Sequence, residues 1–287
     1  KKQQLQEIFQ YSISIIKTTE SIPIDLRISA SQYVLKSFQF LHFNLLPEAD
    51  YQSLCQEILE ALPSSFQIAN LQLFQNITSV MLNLIQFGYY HISPFLDIII
   101  QYSFNSFEIP NPAYWEIVFD FWRQILIYEC KVVKKSHRIN LSKNITPKLL
   151  QFCQTAINRS NLDNLFNSDF PDYSIITAAR KTIRAYYQHF PQFVFELINQ
   201  HFESIAESNI YTAVSFFYSM ANQSTFHDDF LKFALEKSGQ LFVFANDQNI
   251  HIFIRILSLK TFGKLLRTFK YYAQNSLIVD SRQQLSQ

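Results

Sequence analysis

Seven histidines, three cysteines and scattered carboxylates are the side chains of this 287-residue chain from which a catalytic or metal site could be built. Such sites need their groups at fixed offsets on one surface, as when two histidines lie a helical turn apart around a glutamate. His42, His91, His137, His189, His201, His227 and His251 show no such spacing. They read as helix-end or partly buried structural residues. No G-x-S-x-G turn, Walker sequence or useful Cys/His offset is present. Cys130 beside Lys131 could have a lowered thiol pKa, although a packed helix-end cysteine is the plainer reading. Asp228 and Asp229 could pair over a metal; two acids in the first turn of a helix, favourable against its dipole, is the simpler account. Asn-x-Ser/Thr triplets at Asn76, Asn144, Asn158 and Asn222 are what an Asn- and Ser-rich chain generates by chance. The sequence thus supplies no catalytic residue, metal ligand set or cofactor motif, and the expectation is a binding surface, not an enzyme acting on a small molecule.

Charge narrows the partners. Lys plus Arg number 24 and Asp plus Glu 23, a net charge of +1 that gives no argument for direct nucleic-acid binding or an anionic membrane. No run approaches the ~18 apolar residues of a membrane helix. Cys55, Cys130 and Cys153 are odd in number and far apart, which fits reduced thiols in a cytosolic or nuclear compartment. The N-terminus has no secretory h-region. Residue 1 is Lys, and an amphipathic pattern is already under way at Leu5, so the expectation is one continuous segment, 1–287, excised from a longer array.

The elements that would carry such a surface are helices. Only Gly88, Gly239 and Gly263 are glycines, too few for phosphate loops or hairpin-rich β-folds. Nine prolines punctuate the chain at joints between apolar-periodic runs, with none expected inside one. The runs pair as 5–19 with 26–43, 48–62 with 67–87, 93–102 with 112–130, 146–157 with 173–190, 191–206 with 209–221, and 225–237 with 249–271. Thr146-Pro147 is read as the opening of its helix and Thr225-x-x-Asp228 as a capping box. The steps scatter around the ~40 to 47 residues of HEAT-type repeats. The fold class is therefore all-α, an α-solenoid of about six antiparallel helical hairpins with one helix of each pair on the concave side and the other on the convex side.

The run 112–130, P-A-Y-W-E-I-V-F-D-F-W-R-Q-I-L-I-Y-E-C, holds both tryptophans and organises the rest. Trp115, Val118, Phe119, Trp122, Ile125 and Leu126 recur at helical steps, Tyr114, Ile117, Phe121 and Tyr128 line a second face, and only Glu116, Asp120, Arg123 and Gln124 form a polar stripe. So wide an apolar arc needs cover from more than one side. Asn111-Pro112 gives it an N-cap and a proline at the first position. Two stretches break the rhythm. Residues 131–143 form a basic connector offering Lys131, Lys134, Lys135, His137 and Arg138 to a phosphate or acidic partner, with a solvated linker as the default; residues 158–172 form a polar loop.

The order of these motifs resembles the importin-β (karyopherin-β) family of nuclear transport receptors. F-D-F-W-R-Q-I-L-I-Y-E-C is similar to that family's inner-face helix with a Phe-Trp pair followed by an acid, here Phe121, Trp122 and Glu129. The segment from Ile28 to Phe40 is similar to an earlier family helix, and Tyr173-Ser-Ile-Ile-Thr-Ala-Ala-Arg falls where the family resumes after an acidic loop. The resemblance implies a carrier in cytoplasm, nucleus and nuclear pore. Such a carrier holds cargo or an adaptor on its concave face, releases it to Ran-GTP, and grips Phe-Gly nucleoporins on its convex face. It places the Phe-Gly pocket at Tyr11, Ile15, Leu54 and Cys55, and cargo or Ran contacts at Trp122, Glu129, Asp163, Asp169 and Asp172. A HEAT-type scaffold for a phosphatase or chromosome-organising assembly is the alternative, because stacked hairpins do not fix a function.

Overall fold

A computed structural model describes residues 2–18, 22–38, 48–60, 70–109, 111–159, 173–204, 206–221 and 228–285. Every regular element among them is helical. In chain order these are α1 Lys2–Lys17, α2 Ile24–Ser37, α3 Glu48–Glu60, α4 Leu71–Phe87, α5 Leu96–Asn105, α6 Pro112–Lys131, α7 Leu141–Asn158, α8 Tyr173–Tyr187, α9 Pro191–Phe202, α10 Glu207–Ala221, α11 Asp228–Asn246 and α12 Ile252–Leu285. Packing divides the chain into two compact units, residues 1–144 and 145–287.

In the first unit α1 packs on α2, and the second helices then stack in succession, α2 on α4 and α4 on α6. Such succession is what a repeat needs, since a single hairpin cannot bury its own apolar face. Arg27 of α2 is buried and its Nη2 donates to the Ile16 carbonyl at 2.7 Å, setting a cation at the C-terminal end of α1. Tyr51 of α3 donates to the Leu84 carbonyl of α4 at 2.7 Å. Its ring lies where a Cβ on Gly88 would be, 1.8 Å from Tyr51 Cζ, so only a residue without a side chain leaves room for it. Asn70 caps α4, accepting the Leu73 N–H at 2.9 Å.

The expected core helix is α6. Tyr114, Trp115, Val118, Phe119, Phe121, Trp122, Ile125 and Leu126 are all buried. Asn111 accepts the Ala113 N–H at 3.0 Å beside Pro112 at the first helical position. Phe107 meets Trp115 edge-on at 4.8 Å, and Phe104 packs on Trp122 at 5.7 Å between ring centres.

The second unit repeats the scheme. α9 packs on α10 and α11 on α12, while α8, α10 and α12 stack in succession. α10 is the most enclosed helix here, buried from Ile210 to Phe217 and again from Ser219 to Ala221.

Three boundaries differ most from expectation: α12 runs on to Leu285, past the expected 271, and the start of α7 and the end of α11 have causes in the packing. Pro147 does not open a helix but lies inside α7, which starts at Leu141. The cause is a cap supplied from another helix: the buried Glu129 carboxylate of α6 accepts the N–H groups of Leu141 at 2.9 Å and Ser142 at 2.8 Å. Asn140, at φ 56°, turns the chain into that cap in a left-handed conformation that asparagine tolerates. α11 likewise passes through exposed Gly239 to Asn246, because Leu241 and Ala245 continue the buried stripe of Phe230 and Ala234. That packing outweighs the ~1 kcal/mol propensity cost of a mid-helix glycine.

Candidate functional site

The polar stripe of α6 faces a groove against α4. With Leu73, Ile77, Val80, Met81 and Leu84 turned into the core, α4 lines the groove with Gln75, Thr78, Ser79 and Leu82, and α6 lines it with Glu116, Ile117, Asp120 and Phe121. The groove encloses about 240 Å³. α4 carries no charged residue. Glu116 and Asp120, one helical turn apart, therefore set the sign of the groove beside the apolar surface of Ile117 and Leu82. Asp120 is exposed and pairs with Arg123 at the rim, a surface ion pair worth little by itself. The volume is below the ~300 to 1,000 Å³ of a typical small-molecule pocket. A Lys or Arg side chain suits it, its stem on the apolar surface and its charge at the carboxylates. The sequence showed the α6 stripe; the matching α4 stripe, Gln75, Thr78 and Ser79, was legible only as three- and four-residue spacing of uncharged polar groups.

α1 and α3 also pack together, and Lys17 and Glu60 pair across their surface. The hydrogen bond from Lys17, then that from Gln56, holds the Glu60 carboxyl below its usual range. Of the four residues expected at a Phe-Gly pocket, Tyr11 is exposed and Leu54 half-buried, whereas Ile15 and Cys55 belong to the core. Burial pushes the Cys55 thiol up to about 11, with a Tyr51 hydrogen bond acting in the other direction.

Trp122 and Glu129 are not surface contacts. Trp122 is fully buried against Phe104 and Phe121, and Glu129 is 2% exposed. Tyr89 donates its hydroxyl to Glu129, and the same hydroxyl accepts the Ile139 N–H at 2.9 Å. The acid that sequence order assigned to a partner thus starts the next helix. Asp163, Asp169 and Asp172 lie outside the described residues.

The basic connector is partly structured. Arg138 folds back on the end of α6, donating through Nη2 to the Cys130 carbonyl at 2.5 Å and through Nε to the Val133 carbonyl at 3.2 Å. Lys131, Lys134, Lys135 and His137 remain exposed. Burial raises the Cys130 thiol pKa despite the Arg138 charge, so this cysteine is not activated. Among the described residues, no group of three or more His, Cys, Asp or Glu could hold a metal ion, and no helix is long and apolar enough to cross a membrane.

No protein-family model matches this sequence, and no curated protein matches it. Solved structures do match the fold. A crystal structure of importin beta superposes with a TM-score of 0.69 at 12% identity, covering 91% of this chain and 30% of that one. Kap95p, in a structure concerned with its binding to RanGDP, gives a TM-score of 0.69 at 14% identity over 90% of this chain and 31% of its own. Kap95 in a complex with Nup1 gives 0.64 at 16% identity, over 88% and 30%. This chain spans about a third of the length of those proteins. At such identities the likeness is one of fold, and the fold is the all-helical, HEAT-type α-solenoid of stacked hairpins.

Proposed function

We propose that this chain is a segment of a nuclear transport receptor of the importin-β kind, a non-enzymatic carrier working between cytoplasm and nucleus and at the pore. The observation that carries the reading is the superposition of nine-tenths of the chain on importin beta at a TM-score of 0.69. The α4–α6 groove, with Glu116 and Asp120 beside Ile117 and Leu82, is the place to hold a basic cargo or adaptor segment. The surface between α1 and α3, where Tyr11 and Leu54 are accessible, is the place for the Phe ring of a Phe-Gly nucleoporin. A ring set in a shallow apolar slot buries little area, and it binds weakly and exchanges fast, which suits transit. Asp163, Asp169 and Asp172 are the proposed contacts for Ran-GTP or cargo. Two neighbours of similar fold are described with RanGDP and with Nup1, which supports looking for partners of those kinds.

The test is a pull-down of the chain on immobilised Phe-Gly repeats and on GTP-loaded Ran. Binding to either, with Phe-Gly binding reduced by Leu54→Ala, supports the reading. Failure of both redirects it to a HEAT-type scaffold.

A further inference from the structure

Tyr218 is the one residue between 210 and 221 that is not fully buried. α10 lies between α8 and α12, and both pack against it, so the phenol surfaces in a seam. Two cations from different helices reach its ring. Lys264 Nζ of α12 is 3.8 Å from the ring centre, and Arg180 Cζ of α8 is 5.6 Å away. Arg180 Nη2 donates to Ser215 Oγ of α10 at 3.4 Å, while its buried Nε has no hydrogen-bond partner.

Positive charge continues along both flanks at helical spacing. Arg184 follows Arg180 by one turn on α8, and Lys260, Lys264 and Arg267 occupy i, i+4 and i+7 on α12. α8 has no acidic residue, and α12 has none before Asp280. The single acid of α10, Glu207, is about 16 Å along the axis from Tyr218. There it accepts the His251 N–H at 2.7 Å. Burial would raise the Tyr218 pKa, yet the Lys264 hydrogen bond and the charges of Lys264, Arg180 and Lys260 lower it instead.

Gathering half-buried cations around one ring is unfavourable unless something offsets their repulsion. The ring's negative face offsets part of it. A positive cleft with low-dielectric walls concentrates anions. We propose that the seam around Tyr218 is a docking site for an acidic segment of a partner protein, its carboxylates held by Arg180, Lys260 and Lys264. Arg180 offers the planar fork that matches a carboxylate, and the two lysines extend the field along α12. A polynucleotide fits less well, because its charges need a long basic track, whereas this chain balances 24 basic against 23 acidic residues. The site does not depend on the transport reading.

Fluorescence anisotropy of a labelled Asp/Glu-rich peptide titrated with the whole chain tests it, with a single-stranded oligonucleotide of equal charge as the comparison. The peptide is expected to bind, less tightly as salt rises. The pair Lys260→Glu and Lys264→Glu should weaken it by about tenfold or more, and Arg180→Gln, should the pair not fold, reads the same site. Lys232→Glu, an exposed position on α11, should leave it unchanged. No peptide binding, tighter binding of the oligonucleotide, or equal loss with Lys232→Glu would each overturn the assignment.

Discussion

The Glu129 carboxylate at the end of α6 accepts the Leu141 N–H at 2.9 Å, so one helix supplies the cap of the next. Ser142 N–H and the Tyr89 hydroxyl share the same carboxylate, and all of it is buried. Hydrogen bonds to a charged group contribute ~1.5 to 3 kcal/mol each, and a lost cap costs ~1 kcal/mol. Glu129→Ala is expected to destabilise the chain by about 3 kcal/mol, and Glu129→Gln, which keeps one acceptor, by about half that. Urea unfolding reads both as a lowered midpoint at unchanged slope. An unchanged midpoint for Glu129→Ala would remove the capping role.

Gly88→Ala should be among the costliest single-methyl additions in the first unit. Its Cβ would fall 1.8 Å from Tyr51 Cζ, and the ring is fixed by its hydrogen bond to Leu84. Overpacking of this kind costs ~1 to 3 kcal/mol. Combined with Tyr51→Ala, the extra methyl should cost almost nothing, and the double-mutant cycle measures the difference.

Neutralising the α4–α6 groove should weaken binding of a basic peptide without unfolding the chain. Glu116→Gln with Asp120→Asn keeps shape and removes both charges, and about a tenfold rise in Kd is expected. Thermal unfolding should move little, since Asp120 is exposed and Arg123 pairs with it only at the surface. Equal affinity of wild type and variant would take the cationic side chain out of the groove.

Stability should fall at alkaline pH through Cys55. Burial raises its thiol from 9.0 to about 11 in the folded chain, so the folded state holds this proton more tightly than the unfolded one. The contribution is complete below pH 9 and is lost as pH rises toward 11, at up to ~1.4 kcal/mol per pH unit. Urea midpoints measured at about pH 8 and about pH 10 should diverge less for Cys55→Ala than for wild type. Tyr51, raised chiefly by burial as well, adds to the slope above its ordinary 10.0 and is removed by Tyr51→Phe.

Most of the architecture was legible because helix punctuation and helix faces are local signals. Asn111-Pro112 opens α6 as its types require, and the apolar steps from Trp115 to Leu126 are the ones that the core covers. The start of α7 was not legible, because its capping group lies 12 residues earlier and on another helix. Thr146-Pro147 has the look of a helix start and is instead an interior turn. Glu129 and Trp122 show the same limit: an acid after a Phe-Trp pair has the same letters whether it faces a partner or the core. The groove and the Tyr218 seam depend on which faces of neighbouring helices meet, and periodicity along one helix does not contain that.

The cap on α7 also sets an order of events. In a chain synthesised from its N-terminus, Glu129 emerges before Leu141 and Ser142, and Tyr89 before all three. A growing chain that has already folded α6 presents the later helix with a ready starting block. One that has not leaves those two amide groups without it, so the first turn of α7 is weaker until α6 is in place.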